Sequence, residues 1–272
     1  MSGALRPQSL MLTFLGDQVL GRGVRVYTGS VIEVFRSVGV GEQATRSTLT
    51  RMVGRGLLHR QREGRRTYVG LTARSEAILR DGERRIWGTG AVNRDWDGTW
   101  TLLGFSLPES WQRQRHDLRS QLTWAGFGPL FSGLWLAPGE VDVSPLVGEL
   151  GLGARVKVFR ATADAGMDIA EMIHDTWDVP ELAARYREFD ETWRPLRTSG
   201  AASAGGDALA ARLRLATEWL GVIRADPRLP VRHLPPDWPA ARAEETFRAV
   251  HALLDAPARD TARRLIQTVP AL

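Results

Sequence analysis

The spacing of apolar and polar positions changes several times along the chain, and each change marks a new kind of element. From Glu42 to Gly54 the repeat is helical. Ala44, Thr45, Thr48, Leu49 and Met52 fall on one face, and Gln43, Arg46, Ser47 and Thr50 fall on the other. After Gly54 and Gly56 the repeat shortens to β-like runs, Leu57–Arg62 and Arg65–Leu71, around a tight turn at Glu63–Gly64. A shorter helix, Ser30–Val38, capped by Ser30, precedes the first across Gly39 and Gly41. Upstream, Met1–Gln8 has the composition of a loose tail. Ser9–Leu15 predicts a helix capped by Ser9, and Gly16–Gly29 predicts a Gly-rich connection with a β-like run at Val24–Tyr27. Thr72 is placed to cap a further helix reaching about Trp87. Two short helices, the second with a polar outer face, followed by an Arg-rich hairpin, are the sequence form of a winged helix-turn-helix.

Beyond Gly88, Gly90 and Gly98 the pattern predicts a strand at Trp100–Leu107 and a helix at Ser110–Ala125, with Trp111, Leu118, Leu122 and Ala125 inside. Next come a strand region at Phe127–Ala137 broken at Ser132–Gly133, a short helix at Val143–Leu150, and a half-buried strand at Arg155–Ala161. The order β-α-β-β-α-β is that of a ferredoxin-like, split βαβ domain. The remainder predicts helices at Asp168–Trp177, Pro180–Leu196, Asp207–Arg224, Ala240–Leu254 and Arg259–Val269. Thr198–Gly206 has linker composition, and Pro-rich Asp226–Pro239 should be extended. The expected fold class is therefore α+β, in three parts. These are an N-terminal winged-helix domain with its linker helix (1–88), a ferredoxin-like domain (96–163) and a C-terminal helical domain (164–272).

Charge sharpens this division. The 272 residues carry a net +5, but residues 1–74 hold 12 Arg against 4 acidic residues, a balance of +8. The rest holds 24 basic and 27 acidic residues, a balance of −3. A basic module on a near-neutral body is built to meet a polyanion, and double-stranded DNA is the expected one. An anionic membrane would require an apolar span or bulky anchors on a basic helix, and neither is evident. The absence of Cys removes disulfides, thiolate zinc sites and Cys nucleophiles. With no secretory signal visible, a soluble cytoplasmic protein is expected. Lys occurs once, at Lys157, against 35 Arg, which reflects compositional bias.

Gln43, Arg46, Ser47, Thr50 and Arg51 are the candidates for base contact. Arg can pair bidentately with guanine, and Ser or Thr can serve either donors or acceptors on base edges. Arg62, Arg65 and Arg66 are the candidates for phosphate or minor-groove contact, with Arg60 beside them, while Tyr68 is expected beneath the hairpin. Little supports catalysis. His59, His116, His174, His233 and His251 share no ligand spacing, so no metal or cofactor is expected. Asp175 and Asp178 flank Trp177 as helix-ending residues. Ser106 and Ser132 lack a nucleophile elbow, and Gly21 and Gly23 lack a phosphate-loop Lys.

Several segments together resemble the PaaX-type family of bacterial transcriptional repressors, named for control of phenylacetate catabolism. These are Ser9–Thr13 with Gly29–Ser30; the Arg46–Tyr68 helix and hairpin with Glu63-Gly64-Arg65-Arg66; Trp96-Asp97-Gly98-Thr99-Trp100 with Gly126-Phe127-Gly128; and Asp226-Pro227-Arg228-Leu229-Pro230, followed by Leu234-Pro235 and Trp238-Pro239. Ala240 departs from the family, where Gly commonly follows Trp-Pro. The resemblance implies a homodimeric repressor that binds a palindromic operator and leaves it on binding a small-molecule effector, an aryl-CoA thioester such as phenylacetyl-CoA. It also implies a central domain similar to a CRISPR-associated integration nuclease, so the competing reading is a metal-dependent nuclease. Against that, the first strand ends Phe105-Ser106-Leu107-Pro108, with no carboxylate. Aromatic walls suit an aryl group, making Trp111, Trp177, Trp193 and Trp219 candidate effector-binding residues with Arg194. Arg185, Arg187 and Arg197 lie near Arg194 in sequence and would suit a CoA phosphate.

Overall fold

Pro7 supplies the fixed φ of a first helical turn, and α1 (Pro7–Gln18) starts there, so Ser9 is not its cap; of the expected tail, Pro7 and Gln8 are helical and residues 1–4 lie outside the described residues. The computed structural model describes residues 5–88, 90–199 and 207–271. Leu10, Met11, Phe14 and Leu15 form the buried side of α1. The chain continues through β1 (Val24–Tyr27), α2 (Thr28–Ser37) and α3 (Glu42–Gly54). Ser30 lies inside α2 and is buried, not at its cap. Phe14 meets Phe35 of α2 edge-on, with ring centroids 6.0 Å apart, and α3 packs against both α1 and α2.

A hairpin of β2 (Leu58–Glu63) and β3 (Arg66–Leu71) follows, so its tight turn is Gly64–Arg65, one residue later than the pattern suggested. α4 (Ala73–Trp87) begins at Thr72 with a capping box: the Ser75 N–H donates to Thr72 Oγ1 and the Thr72 N–H to Ser75 Oγ.

The central segment runs β4 (Thr99–Phe105), α5 (Gln112–Trp124), β5 (Gly128–Phe131), β6 (Leu134–Pro138), α6 (Ser144–Glu149) and β7 (Val156–Thr162). The strands form one antiparallel sheet in the order β5-β6-β4-β7, which with the βαββαβ sequence is the ferredoxin-like topology. Alternation along β4 sends Leu103 to one face and Trp100 and Leu102 to the other. The first face is covered by Leu118 and Leu122 of α5 and Val147 of α6. The second packs with Ile173, Val179, Leu182 and Leu229. β7 was expected to be half buried, but among its residues only Val156 is buried. It is an edge strand paired to β4 alone, so its side chains lack neighbours on one side.

α7 (Ile169–Thr176) and α8 (Val179–Ser199) follow, then α9 (Ala208–Ala225), with Asp207 Oδ1 accepting from the Ala210 N–H. Thr198 and Ser199 of the expected linker belong to α8, and the rest of that stretch lies outside the described residues. Residues 226–239 are mostly irregular, with a 3-10 turn at Val231–His233. The last two expected helices are a single one, α10 (Ala240–Leu265), with Pro257 in its interior. A short strand, β8 (Thr268–Pro270), then pairs with β1 to give a sheet ordered β2-β3-β1-β8. The chain divides into two compact units. One comprises residues up to Gly90, Phe189–Gly221 and Arg242 onward; the other comprises Ala91–Glu188 and Val222–Ala241. No helix among the described residues is long and apolar enough to cross a membrane.

The Gly126-Phe127-Gly128 stretch has a packing reason. Gly126 closes α5 at φ 88°, and its N–H donates to the Thr123 carbonyl. At Gly128 a side chain would sit 2.4 Å from Thr176 Cγ2 and 2.7 Å from the Trp177 ring, so α7 can approach the sheet only over a glycine. Gly128→Ala is expected to destabilise the protein by about 1–3 kcal/mol through overpacking. A urea denaturation midpoint unchanged from the parent would contradict this.

Candidate nucleic-acid interface

The buried side of α3 is short and moderately polar: Thr45, Thr48, Leu49 and Met52. The two threonines are accommodated because their hydroxyls donate to backbone carbonyls one turn back, at Gly41 (3.1 Å) and Ala44 (2.8 Å). Ala44, expected inside, is exposed. With the underside fixed this way, Gln43, Arg46, Ser47, Thr50 and Arg51 all lie exposed.

Local contacts hold several of these groups. Arg46 donates to Glu42 Oε1 through Nε at 2.9 Å, an i,i+4 ion pair on an exposed surface, and so readily exchanged for a stronger anion. Arg51 reaches Thr48 Oγ1 at 3.3 Å, and Arg60 of β2 reaches Thr50 Oγ1 at 3.4 Å, linking the hairpin to the helix surface. On the hairpin, Arg62 Nε donates to the Gly64 carbonyl at 3.1 Å, and Arg65 has no hydrogen-bond or ion-pair partner among the described residues. Arg66 donates to Gln267 Oε1 at 2.8 Å and lies over the Tyr27 ring at 5.3 Å. Tyr68 is buried beneath the hairpin. Polar donors on a helix and cations on an adjoining hairpin make a surface suited to a phosphate backbone with base edges beside it. The pattern did not reveal the buried Arg25: alternation with Val24 and Val26 would turn it outward, and its partners, Glu63 and Pro270, are distant in sequence.

Three family profiles match the chain in order: "PaaX-like protein" over residues 6–75, "PaaX protein central Cas2-like domain" over 93–173, and "PaaX-like protein C-terminal domain" over 177–264. The chain belongs to the PaaX family. A protein named transcriptional repressor PaaX, from Escherichia coli (strain K12), is 29% identical over 247 residues, covering 87% of this chain and 77% of that one. Among solved structures, the uncharacterized protein Rv0674 from Mycobacterium tuberculosis matches with TM-score 0.60 at 22% identity, covering 96% of this chain and all of that one. That likeness concerns the fold.

In this PaaX-family chain the residues considered for effector binding fall on both faces of the central sheet and on α8 and α9. Trp111 packs at the α5–α6 face of the central sheet, with Arg155 over its ring at 5.8 Å. Trp177 is on the opposite face, stacked 6.3 Å from Trp100. Trp193 donates to Glu218 at 2.6 Å, Arg194 lies 3.6 Å from the buried Asp190, and Trp219 stacks 5.0 Å from Phe247. Among the described residues no group of three or more His, Asp or Glu side chains could hold a metal ion.

The Asp226–Pro230 signature is a tight structural knot. Arg228 is at φ 61°, rare for a non-glycine residue. Asp226 Oδ1 holds it by accepting the Arg228 N–H at 2.6 Å, and Asn93 Nδ2 donates to the Arg228 carbonyl at 2.9 Å. Tyr186 donates its hydroxyl to Asp226 Oδ2 at 2.5 Å. Burial pushes the Asp226 carboxyl above its ordinary 3.8, although the Tyr186 and Arg228 hydrogen bonds pull the other way. The folded state therefore binds this proton more tightly than the unfolded chain. Its stabilising contribution is present below pH 3.8 and is lost as pH rises through the raised folded value. Asp226→Asn is expected to remove that component of the pH dependence, measured as urea midpoints across an acidic pH series. An identical slope in parent and variant would contradict it.

Proposed function

We propose that this chain is a ligand-responsive, DNA-binding transcriptional repressor. Residues 5–88 form a winged helix-turn-helix in which α3 is the reading helix and the β2–β3 hairpin the wing. The observation that carries this reading is the outward presentation of Gln43, Arg46, Ser47, Thr50 and Arg51 on α3 beside a hairpin bearing Arg62, Arg65 and Arg66. The +8 balance of residues 1–74 and the name of the Escherichia coli relative agree with it. α3 enters a major groove while the wing contacts phosphate or the adjoining minor groove. The central ferredoxin-like domain pairs two copies, so that two reading helices meet a palindromic operator. The C-terminal helices take a small effector, an aryl-CoA thioester such as phenylacetyl-CoA, that releases the operator.

Base contacts specify and phosphate contacts position, so the two sets of arginines should fail differently. Arg46→Ala is expected to cost about 1–3 kcal/mol at the preferred sequence and to relax that preference. Arg65→Ala should weaken all duplexes alike and lower the salt slope by about 0.9. Gel-shift titrations across a salt series read both, and unchanged binding in both variants would remove the winged-helix assignment. Isothermal titration with a panel of aryl-CoA thioesters tests the effector: heat of binding is expected for at least one, and silence across the panel contradicts a CoA ligand.

A further inference from the structure

The last described residues of the chain are built into the sheet that carries the arginine hairpin. β8 pairs antiparallel with β1, matching Val24 with Pro270, Arg25 with Val269 and Val26 with Thr268. The pairing continues at both ends: the Tyr27 N–H donates to the Gln267 carbonyl at 2.9 Å and the Ala271 N–H to the Gly23 carbonyl at 2.7 Å. Backbone pairing alone would make β8 an ordinary edge strand. Its side-chain contacts reach further, to the hairpin itself.

Gln267 joins several elements. Its carbonyl takes the Tyr27 N–H, its N–H donates to Ser30 Oγ in α2 at 3.1 Å, and its Oε1 accepts from Arg66 at 2.8 Å. Arg66 is thereby held over the Tyr27 ring, and Tyr27 in turn lies 5.8 Å from Tyr68 of β3. Arg25 does the same from the other end of the strand. Its buried guanidinium donates to the Pro270 carbonyl through Nη2 (2.7 Å) and Nε (3.1 Å), and Nη2 also reaches Glu63 Oε1 at 2.9 Å, next to the hairpin turn. A cation inside the protein is stable only while its acceptors stay in place, so removing β8 would leave Arg25 short of a partner.

β8 also follows α10 almost directly, and α10 is anchored firmly. Thr246 donates to the buried Asp190 at 2.7 Å, Arg242 lies 2.9 Å from the same carboxylate, and Asp255 accepts from the buried Arg212 at 2.9 Å, which also pairs with Asp17 of α1. The segment after α10 is therefore held at both ends.

We infer that Gln267 and β8 are positioning residues for nucleic-acid binding: they fix the hairpin and the direction of Arg66, and they couple the position of α10 to that of the hairpin. This rests on the DNA-binding reading. The effect runs through Arg66 and the hairpin turn. Gln267→Ala removes one exposed acceptor without touching a core, and Val269→Pro removes a main-chain donor from the strand.

The experiment uses the full chain and a duplex selected from a random-sequence library by the unaltered protein. Val269→Pro is expected to weaken binding about tenfold, roughly the effect of losing one good charged contact. Gln267→Ala should weaken it about threefold, and that loss should vanish in an Arg66→Ala background, because the two act on one contact. Amide exchange in residues 60–68 should quicken in both variants while α3 and α10 keep their protection, which a general loss of folding would not produce. If Val269→Pro does not fold, Gln267→Ala and its cycle with Arg66→Ala decide alone. Selective binding by the unaltered protein with no change in Gln267→Ala, or with equal losses whether or not Arg66 is present, overturns the positioning role and leaves the DNA-binding reading standing. Failure of the unaltered protein to select any duplex overturns both.

Discussion

The burial of one narrow ridge on α3 governs the rest of the proposed interface. Thr45, Thr48, Leu49 and Met52 are the helix's buried residues, and they pack toward α1 and α2. A helix fixed along one ridge cannot rotate, so the residues opposite must face outward. Burying Leu49 and Met52 contributes about 1.5–3 kcal/mol each, far more than any exposed arginine contact on the outer face. The polar face is thus held in place by apolar contacts behind it and remains free to take its charge partners from solution. Among the described residues Arg46 pairs with Glu42, and an exposed pair of that kind is weak.

The second unit answers to a different constraint. Its sheet is covered on both faces, with α5 and α6 on one side and Trp100, Trp177, Ile173 and Leu229 on the other. Such a sheet leaves little tolerance at its points of closest approach. Gly128 beneath Trp177 and the Asp226-held turn at Arg228 are two of these points, and both belong to the segments by which the family was recognisable.

Much of this was legible in the residue pattern where a single element carried its own signal. α3 has the bounds its periodicity gives, β1 coincides with its four-residue run, and Thr72 caps α4 as its type suggests. Local pattern is silent where distant parts of the chain decide the structure. β8 is three residues long, and its partner β1 lies more than two hundred positions earlier, so no local rhythm marks it. Ser30 looked like a cap, but it lies within α2 and accepts the Gln267 N–H. The last stretch reads as two helices, Ala240–Leu254 and Arg259–Val269, yet Leu254, Ala258 and Ala262 are all buried and one continuous helix carries them. The candidate tryptophans could not be grouped from sequence, because each is large enough to serve an ordinary core.

The central claim is that the outer face of α3 lies against base edges in a major groove. A photo-cross-linking amino acid placed at Ser47, which is exposed and bears no charge, measures this most directly when the protein is bound to its selected duplex. The account predicts cross-links to bases within the selected sequence, abolished by competitor DNA of that sequence. Cross-links that fall only on protein, or arise equally on every duplex, would contradict it.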